Sequence, residues 1–232
     1  MHNFKRSLVC DIAVALAVLI TALTTCFAQA QSGQGDIGFL YAFGVHVEPQ
    51  EGKGKVIPLQ AEASLRAGDR LKLYFEPKGD LHFYLLHLSS QGELSLLAPA
   101  AAQPARIAAG SQLFIPAGAQ WFELDGHAGQ EKFFMLASGK RLERLEELFA
   151  RHRTLKEQPE LQASADAVLN EVKRLRQQHQ QLTAPAEKPV RIGGSLRGPQ
   201  TGGKAVLPDI TPLATEITAA GFYSRTFTID HR

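Results

Sequence analysis

Short stretches of alternating hydrophobic and polar residues recur between about Asp36 and Ser138. A period of two residues places alternate side chains on opposite faces of an extended chain, which is typical of half-buried β-strands. The pattern predicts strands at Gly38–Val47, Val56–Leu59, Arg70–Glu76, Leu81–Leu88, Glu93–Leu97, Gln112–Ile115, Gln120–Leu124 and Lys132–Ala137. Residues 31–140 are therefore predicted to form a β-sandwich-like domain.

Clusters of turn-forming residues separate these predicted strands, for example Pro77–Asp80 and Ser89–Gly92. Connections this short join antiparallel neighbours, because a parallel crossover needs a dozen or more residues. The predicted fold class is mainly β, an antiparallel β-sandwich or a partly open barrel, with an α-helical appendage.

The hydrophobic period changes to three and four residues between 141 and 183, which predicts a helical hairpin. One helix is expected at 142–153 and a second at 160–182, with Gln158-Pro159 interrupting the pattern between them. The second helix carries an apolar stripe from Leu161 to Leu182. The pattern alone leaves open whether this stripe packs within the hairpin, on the sheet or on a partner.

Proline and glycine are frequent in residues 184–212, which are predicted to form a loop. The segment PVRIGGSL, residues 189–196, is a further candidate for a short strand. Residues 213–232 are predicted to return to the β domain. Phe222–Ile229 alternates polar with mostly apolar side chains, and such a strand needs a sheet edge to join.

The N-terminus has the layout of a secretory signal peptide. Two basic residues precede the apolar run Ile12–Leu23, and the small-x-small sequence Ala28–Ala30 follows it. Residues 1–30 are predicted to be cleaved, which makes the protein exported, periplasmic or secreted. The apolar run is shorter than the roughly 20 residues of a membrane span. An uncleaved anchor and a lipoprotein attached at Cys26 are the alternatives, and no transmembrane segment is expected after cleavage.

Composition narrows the chemistry that the mature chain can perform. The two cysteines, Cys10 and Cys26, both precede the predicted cleavage site. Disulfides, thiol nucleophiles and cysteine metal ligands are therefore not expected in the mature chain. With 25 basic and 23 acidic residues the sequence is nearly neutral, which argues against nucleic acid as a partner.

Several local motifs occur together between about residues 60 and 140. They are Gly68-Asp69, Phe83-Tyr84-Leu85, Ser90-Gln91-Gly92, Leu97-Ala98-Pro99, Ile115-Pro116-Ala117 and Gly129-Gln130-Glu131. This combination resembles the exported bacterial family catalogued as domain of unknown function 4384, and the tail GFYSRTFTIDHR is similar to that of some members. The resemblance implies a β-rich, envelope-associated module with an accessory binding role, and it carries over no catalytic residues. Leu97-Ala98-Pro99 departs from the bulkier Leu-Phe-Pro form.

Two histidines five residues apart, His82 and His87, are the first candidates for a metal or catalytic site. An odd separation places them on opposite faces of a strand, so they are interpreted as structural residues and not as ligands of one metal ion. The other histidines of the mature chain are scattered and form no zinc-binding sequence motif. No metal or other cofactor is therefore expected.

The remaining chemical candidates each have a structural interpretation. Gly198–Ala205 resembles a phosphate-binding loop, but it ends in alanine where magnesium needs a hydroxyl, and the prolines after it exclude the required helix. Asp69 and Asp80 are interpreted as turn residues that cap their own backbone. Glu131 is interpreted as an exposed charge at the start of a strand. The carboxylates of Glu146-Glu147 are expected to face solvent.

Aromatic residues occur in two adjacent pairs, Trp121-Phe122 and Phe133-Phe134, in segments predicted to be neighbouring strands. One member of each pair must face away from the sandwich core. Cover by the helical hairpin would bury these outer rings. Without such cover they would mark a surface for a partner or a glycan.

These observations favour an exported, non-catalytic binding or accessory module of the bacterial cell envelope, with a protein or envelope component as partner. One alternative is a hydrolase whose site is assembled from dispersed Asp, Glu and His residues. Clustering of Asp69, Glu131 and a histidine in one pocket would favour this alternative. The other is a structural envelope protein that oligomerises through the stripe at 161–182. No catalytic, cofactor-binding or metal-binding residue is assigned, and the oligomeric state is not predicted.

Overall fold

The computed structural model describes residues 35–47, 54–100, 103–124, 126–179, 186–189 and 209–232. The strands are β1 (Asp36–Val47), β2 (Lys55–Pro58), β3 (Glu62–Leu65), β4 (Arg70–Pro77), β5 (Leu81–Leu88), β6 (Leu94–Ala98), β7 (Arg106–Ile107), β8 (Leu113–Ile115), β9 (Phe122–Glu123), β10 (Gly129–Ser138), β11 (Ala186–Pro189), β12 (Thr215–Ala220) and β13 (Phe222–His231). The helices are α1 (Glu143–His152) and α2 (Gln158–His179), and a 3-10 helix spans Thr211–Leu213.

The strands form two separate sheets. The structure is therefore a sandwich, which is one of the two predicted alternatives. The first sheet has the order β11-β12-β1-β4-β8, with β2 also paired to β1 and β9 to β4. The second sheet has the order β3-β13-β10-β5-β6, with β7 also paired to β5. The predicted class, mainly β with a helical appendage, is confirmed.

The core between the sheets follows from the alternation of side chains along each strand. In β4, Leu71, Leu73 and Phe75 are fully buried and belong to the core that also contains Phe83 and Leu85 of β5. Aromatic rings join the two layers, since the ring centroids of Phe75 and Phe83 lie 4.0 Å apart. Burial of these large rings supplies much of the hydrophobic stabilisation.

Both helices pack on the outer face of the second sheet. Leu145 and Phe149 of α1 and Val168 and Val172 of α2 share a buried cluster with Leu86 of β5. The apolar stripe of the second predicted helix is thus buried within the same chain from Ala165 to Leu175. Oligomerisation through the stripe at 161–182 stays a prediction, with this part of the stripe already covered. Pro159 does not separate the helices as expected, because α2 begins at Gln158. Proline fits there, since the first turn of a helix does not need its N–H.

The expectation that every short connection joins antiparallel neighbours was wrong, because several short connections cross between the two sheets. The turn after β4 carries the chain from the first sheet to the second, because β4 and β5 belong to different sheets. β3 pairs with β13 in parallel, and β13 lies between β3 and β10. The expected hairpin at Ser89–Gly92 is present, since β5 and β6 pair antiparallel. Gly92 there has φ +83°, which favours glycine.

Four short strands, β3, β7, β11 and β12, were not predicted from sequence. β11 lies inside the segment predicted to be a loop, while residues 190–208 and most of PVRIGGSL lie outside the described residues. The predicted signal peptide, residues 1–30, also lies outside them. No helix in the described ranges combines the length and the apolar character that a membrane span requires.

Candidate functional site

A cleft of about 700 Å³ runs between α1 and the connection from β6 to β7, and we call it the α1 cleft. α1 supplies one wall with Glu143, Glu146, Glu147 and Ala150, and its C-cap residue Arg153 extends that wall. Steps of three and four residues keep these side chains on one face of the helix. Leu96 of β6 and Arg106 of β7 line the opposite side.

A hydrogen-bonded network fixes the N-terminal end of α1 to the second sheet. The Tyr84 hydroxyl donates to Oε1 of Glu146 at 2.7 Å and accepts the backbone N–H of Leu142 at 3.1 Å. Nε and Nη2 of Arg141 donate to Oε2 of Glu146 at 2.8 and 2.6 Å. The prediction that Glu146 faces solvent was wrong, because this carboxylate is directed back to the sheet. Glu147 is exposed, as expected.

The network sets the charges in the cleft. Burial of the Glu146 carboxyl favours a higher pKa, but the hydrogen bonds from Arg141 and Tyr84 outweigh burial and hold the pKa below its ordinary value. Burial raises the pKa of the Tyr84 hydroxyl, so the hydroxyl remains a donor at neutral pH. The cleft therefore contains a fixed carboxylate and guanidinium pair.

The two ends of the α1 wall carry opposite charges. Glu143 and Arg153 are exposed, and neither forms a salt bridge with another described residue. Their separation along the helix axis is about 15 Å at 1.5 Å per residue. Arg106, across the cleft, bonds Oδ2 of Asp80 at 2.6 Å. A ligand in the cleft thus meets the exposed carboxylate of Glu143, beside Arg141, at one end and the exposed guanidinium of Arg153 at the other.

His82 and His87 lie on opposite faces of β5, as strand parity predicts. His82 faces outward and lines the α1 cleft, and its Nδ1 is buried without a hydrogen-bond partner among the described residues. His87 faces the interior, where its ring stacks on Phe133 with the centroids 4.5 Å apart. The two rings therefore belong to different sites.

A second, smaller pocket of about 170 Å³ opens between the two sheets at one end of the sandwich, and we call it the end pocket. His87 and Glu131 line it together with Phe122 and Leu124 of the first sheet. Nε2 of His87 lies 2.9 Å from Oε2 of Glu131. The expectation of an exposed Glu131 was wrong, since only 7% of the residue is accessible. A buried carboxylate that orients an imidazole is an arrangement that general bases use.

The structure does not bring Asp69 into this pair. Oδ2 of Asp69 accepts the backbone N–H of Arg66 at 2.9 Å, so Asp69 caps its own turn as predicted. Asp80 does not cap its own backbone. Its carboxylate accepts the N–H of Ala109 at 2.9 Å and thereby fixes the turn that follows β7.

The paired aromatics are not in neighbouring strands as expected. Phe122 and Phe133 come from different sheets, and both face the core between them, where Phe133 is buried and Phe122 packs at its margin. Trp121 packs with the small cluster on the outer face of the first sheet, and Phe134 packs with the helical cluster. The rings thus contribute mainly to packing.

The other chemical candidates add no site. Gly198–Ala205 lies outside the described residues. Within the described ranges, no group of three or more His, Cys, Asp or Glu side chains is arranged to hold a metal ion.

Sequence reasoning missed the α1 cleft as a site. The helical period at 142–152 showed that Glu143, Glu146 and Glu147 share a face, but not which part of the sheet this face borders. His87 and Glu131 are 44 residues apart, so no local motif links them.

Residues 64–141 match the family model described as a domain of unknown function, DUF4384. This match confirms the resemblance predicted from the motifs. No curated protein and no solved structure matches the chain. The matched segment runs from β3 through β10, so β1, the helices, β12 and β13 lie outside it. The α1 cleft is therefore built from both parts, with β6 and β7 inside the matched segment and α1 outside it.

Proposed function

We propose that the chain is an exported, non-catalytic binding or accessory module of the bacterial cell envelope, and that its binding site is the α1 cleft. The signal-peptide layout of residues 1–30 supports export. The accessory role is what the resemblance to domain of unknown function 4384 implies, and residues 64–141 match that family model. The partner is a protein or another component of the envelope.

The cleft is the observation that carries the binding role. Its volume of about 700 Å³ lies within the range of pockets that hold ligands. The Arg141, Glu146 and Tyr84 network holds two of its charged groups in place before any ligand arrives. A preorganised site loses less conformational entropy on binding, which favours recognition.

Site-specific crosslinking in the native envelope tests the proposal. A photo-crosslinking amino acid replaces Ala150 in the full chain, and a matched control replaces Lys173, which is exposed on α2. We expect a discrete, saturable adduct from position 150 that is absent from position 173. Equal labelling at both positions, or none at 150, would contradict a binding role for the cleft.

Mass spectrometry of the exported protein tests the location. We expect the mature N-terminus at Gln31, directly after the predicted cleavage site. Retention of the whole chain inside the cell would contradict export. It would not affect the test of whether the α1 cleft binds a partner.

The end pocket favours a second candidate function, a hydrolase in which Glu131 orients His87 as a general base. The supporting observation is the 2.9 Å contact between them in a small pocket with largely apolar walls. The mature protein would be assayed against chromogenic esters, phosphoesters and glycosides, with Glu131→Gln as the variant. Turnover that Glu131→Gln abolishes supports this function, and turnover that persists in the variant excludes the pair.

A further inference from the structure

The strand β6 has one edge that no described strand covers. β5 pairs with one side of β6, and β6 ends the strand order of the second sheet. The edge of a sheet presents unpaired N–H and C=O groups that can accept another chain. This edge borders the α1 cleft, because Leu96 at the centre of β6 lines it.

The register of the hairpin shows which backbone groups face outward. The N–H of Ser89 donates to the carbonyl of Glu93 at 2.9 Å, so these two residues bond each other across the ladder. Antiparallel ladders alternate bonded and non-bonded pairs. The pair Leu88 and Leu94 is therefore non-bonded, the pair His87 and Ser95 is bonded, and the pair Leu86 and Leu96 is again non-bonded. The N–H and C=O of Leu94 and Leu96 thus point away from β5.

One contact agrees with this assignment. The carbonyl of Leu94 lies 3.2 Å from Nε2 of His152 on α1, so it does face away from β5. The backbone groups of Leu96 have no such side-chain partner among the described residues. The free part of the edge is therefore short and centres on Leu96, directly beside the cleft.

α1 lies beside this edge at its C-terminal end and over β5 at its N-terminal end. Its C-terminal residue His152 contacts Leu94, and Glu146 near its N-terminus reaches Tyr84 on β5. The roughly 15 Å between the ends of this wall matches about five residues of extended chain at about 3.3 Å per residue. The exposed charged groups of Glu143 and Arg153 mark the two ends of that length.

We infer that the α1 cleft takes an extended polypeptide segment of about five residues, which adds as a strand to the edge of β6 at Leu96. A basic residue of the segment lies near Glu143 and an acidic residue lies near Arg153. Main-chain hydrogen bonds to an edge strand provide affinity, and side-chain pockets beside it provide specificity. This inference rests on the proposed binding function and names its partner as a peptide segment.

The probe is a linear peptide selected from a random ten-residue library against the mature protein, with binding followed by fluorescence anisotropy. Copies of the peptide carrying one N-methyl group at each successive position are then compared. Strand addition predicts a loss of about tenfold or more at the position whose N–H meets the carbonyl of Leu96 and little change at the positions next to it, because neighbouring N–H groups face away from the edge. Equal tolerance at all positions would exclude strand addition.

Variants of the protein provide a second readout. Leu96→Pro removes the outward N–H, and proline is tolerated where an edge N–H faces away from the sheet. We expect about a tenfold loss of peptide affinity with the circular dichroism spectrum retained. If Leu96→Pro unfolds, the charge reversal Arg153→Glu replaces it. Arg153→Glu should lower the affinity for the selected peptide. Changing the acidic residue of the peptide to lysine should restore that affinity.

The outcomes separate this inference from the function on which it rests. A partner that crosslinks at position 150, together with no selected peptide or no alternation, leaves the binding function and overturns strand addition. A glycan or lipid as the crosslinked species has the same consequence. Failure of both crosslinking and peptide selection overturns both proposals.

Discussion

The two outer faces of the sandwich differ in what covers them. On the second sheet, α1 and α2 bury Tyr84 and Leu86 within a large apolar cluster. On the first sheet, the 3-10 helix and the flanking residues Ile210 and Ala214 cover a much smaller cluster around Tyr74, as far as the structure describes this face. The same architecture thus carries a thick layer on one side and a thin layer on the other.

The strand sequences account for this difference. The outward positions of β5 are His82, Tyr84, Leu86 and Leu88, of which most are apolar. The outward residues of β4 include Lys72, whose Nζ donates to the carbonyls of Gly118 and Gln120. Burial lowers the pKa of Lys72. An apolar outer face needs a helical layer, whereas a polar one is satisfied by loop carbonyls and water.

The largest expected effect tests whether the helical layer is part of the cooperative fold. Phe149→Ala removes a ring that is 1% exposed and should lower the free energy of unfolding by about 3–5 kcal/mol. Leu213→Ala in the thin layer, at a half-buried site, should cost about 1 kcal/mol. Urea denaturation measures both, with exposed Arg151→Ala as the control. A small effect of Phe149→Ala would mean that the helices are not coupled to the sandwich.

A matched pair of tyrosines tests the polar contacts of the two faces. Tyr84→Phe leaves the Leu142 N–H and the Glu146 carboxylate without their hydroxyl partner, and should cost about 1–3 kcal/mol. Tyr74→Phe removes the same atom from the thin layer. The Tyr74 hydroxyl donates to the carboxylate of Glu76. Its loss should cost about 1 kcal/mol or less, because the Glu76 carboxylate still accepts a hydrogen bond from the amide of Gln112 at 3.2 Å. Thermal unfolding of both variants measures the difference, and equal costs would refute it.

The smallest expected effect is the pH dependence of the thick face. The folded pKa of Glu146 lies below its ordinary value, so the stability it contributes is complete above the unfolded pKa of about 4.3. That stability is lost as the pH falls through the folded pKa. Glu146→Gln should therefore cost about 1 kcal/mol at pH 7, and the cost should shrink below about pH 4. The exposed variant Glu147→Gln is the matched control in pH-resolved denaturation. A cost of Glu146→Gln that stays constant down to about pH 3 would contradict the role of its carboxylate.

The sequence predicted those features that depend on local periodicity. β5 and its hairpin with β6 were predicted closely because alternation, turn residues and a glycine with positive φ coincide there. The four-residue strand β3 was missed because so short a segment has no measurable period, and its parallel pairing with β13 is entirely non-local. Glu131 was assigned to the wrong environment because its partner His87 comes from another part of the chain.

The place of β13 has a consequence for the order in which the fold can be completed. Of the described strands it is the last to be synthesised, yet it lies between β3 and β10 and buries Phe227 and Ile229 in the core. Because a chain is synthesised from the N-terminus to the C-terminus, the second sheet cannot be completed until β13 is available. Until then one edge of β10 is unpaired, so a nascent chain displays a ready template for self-association.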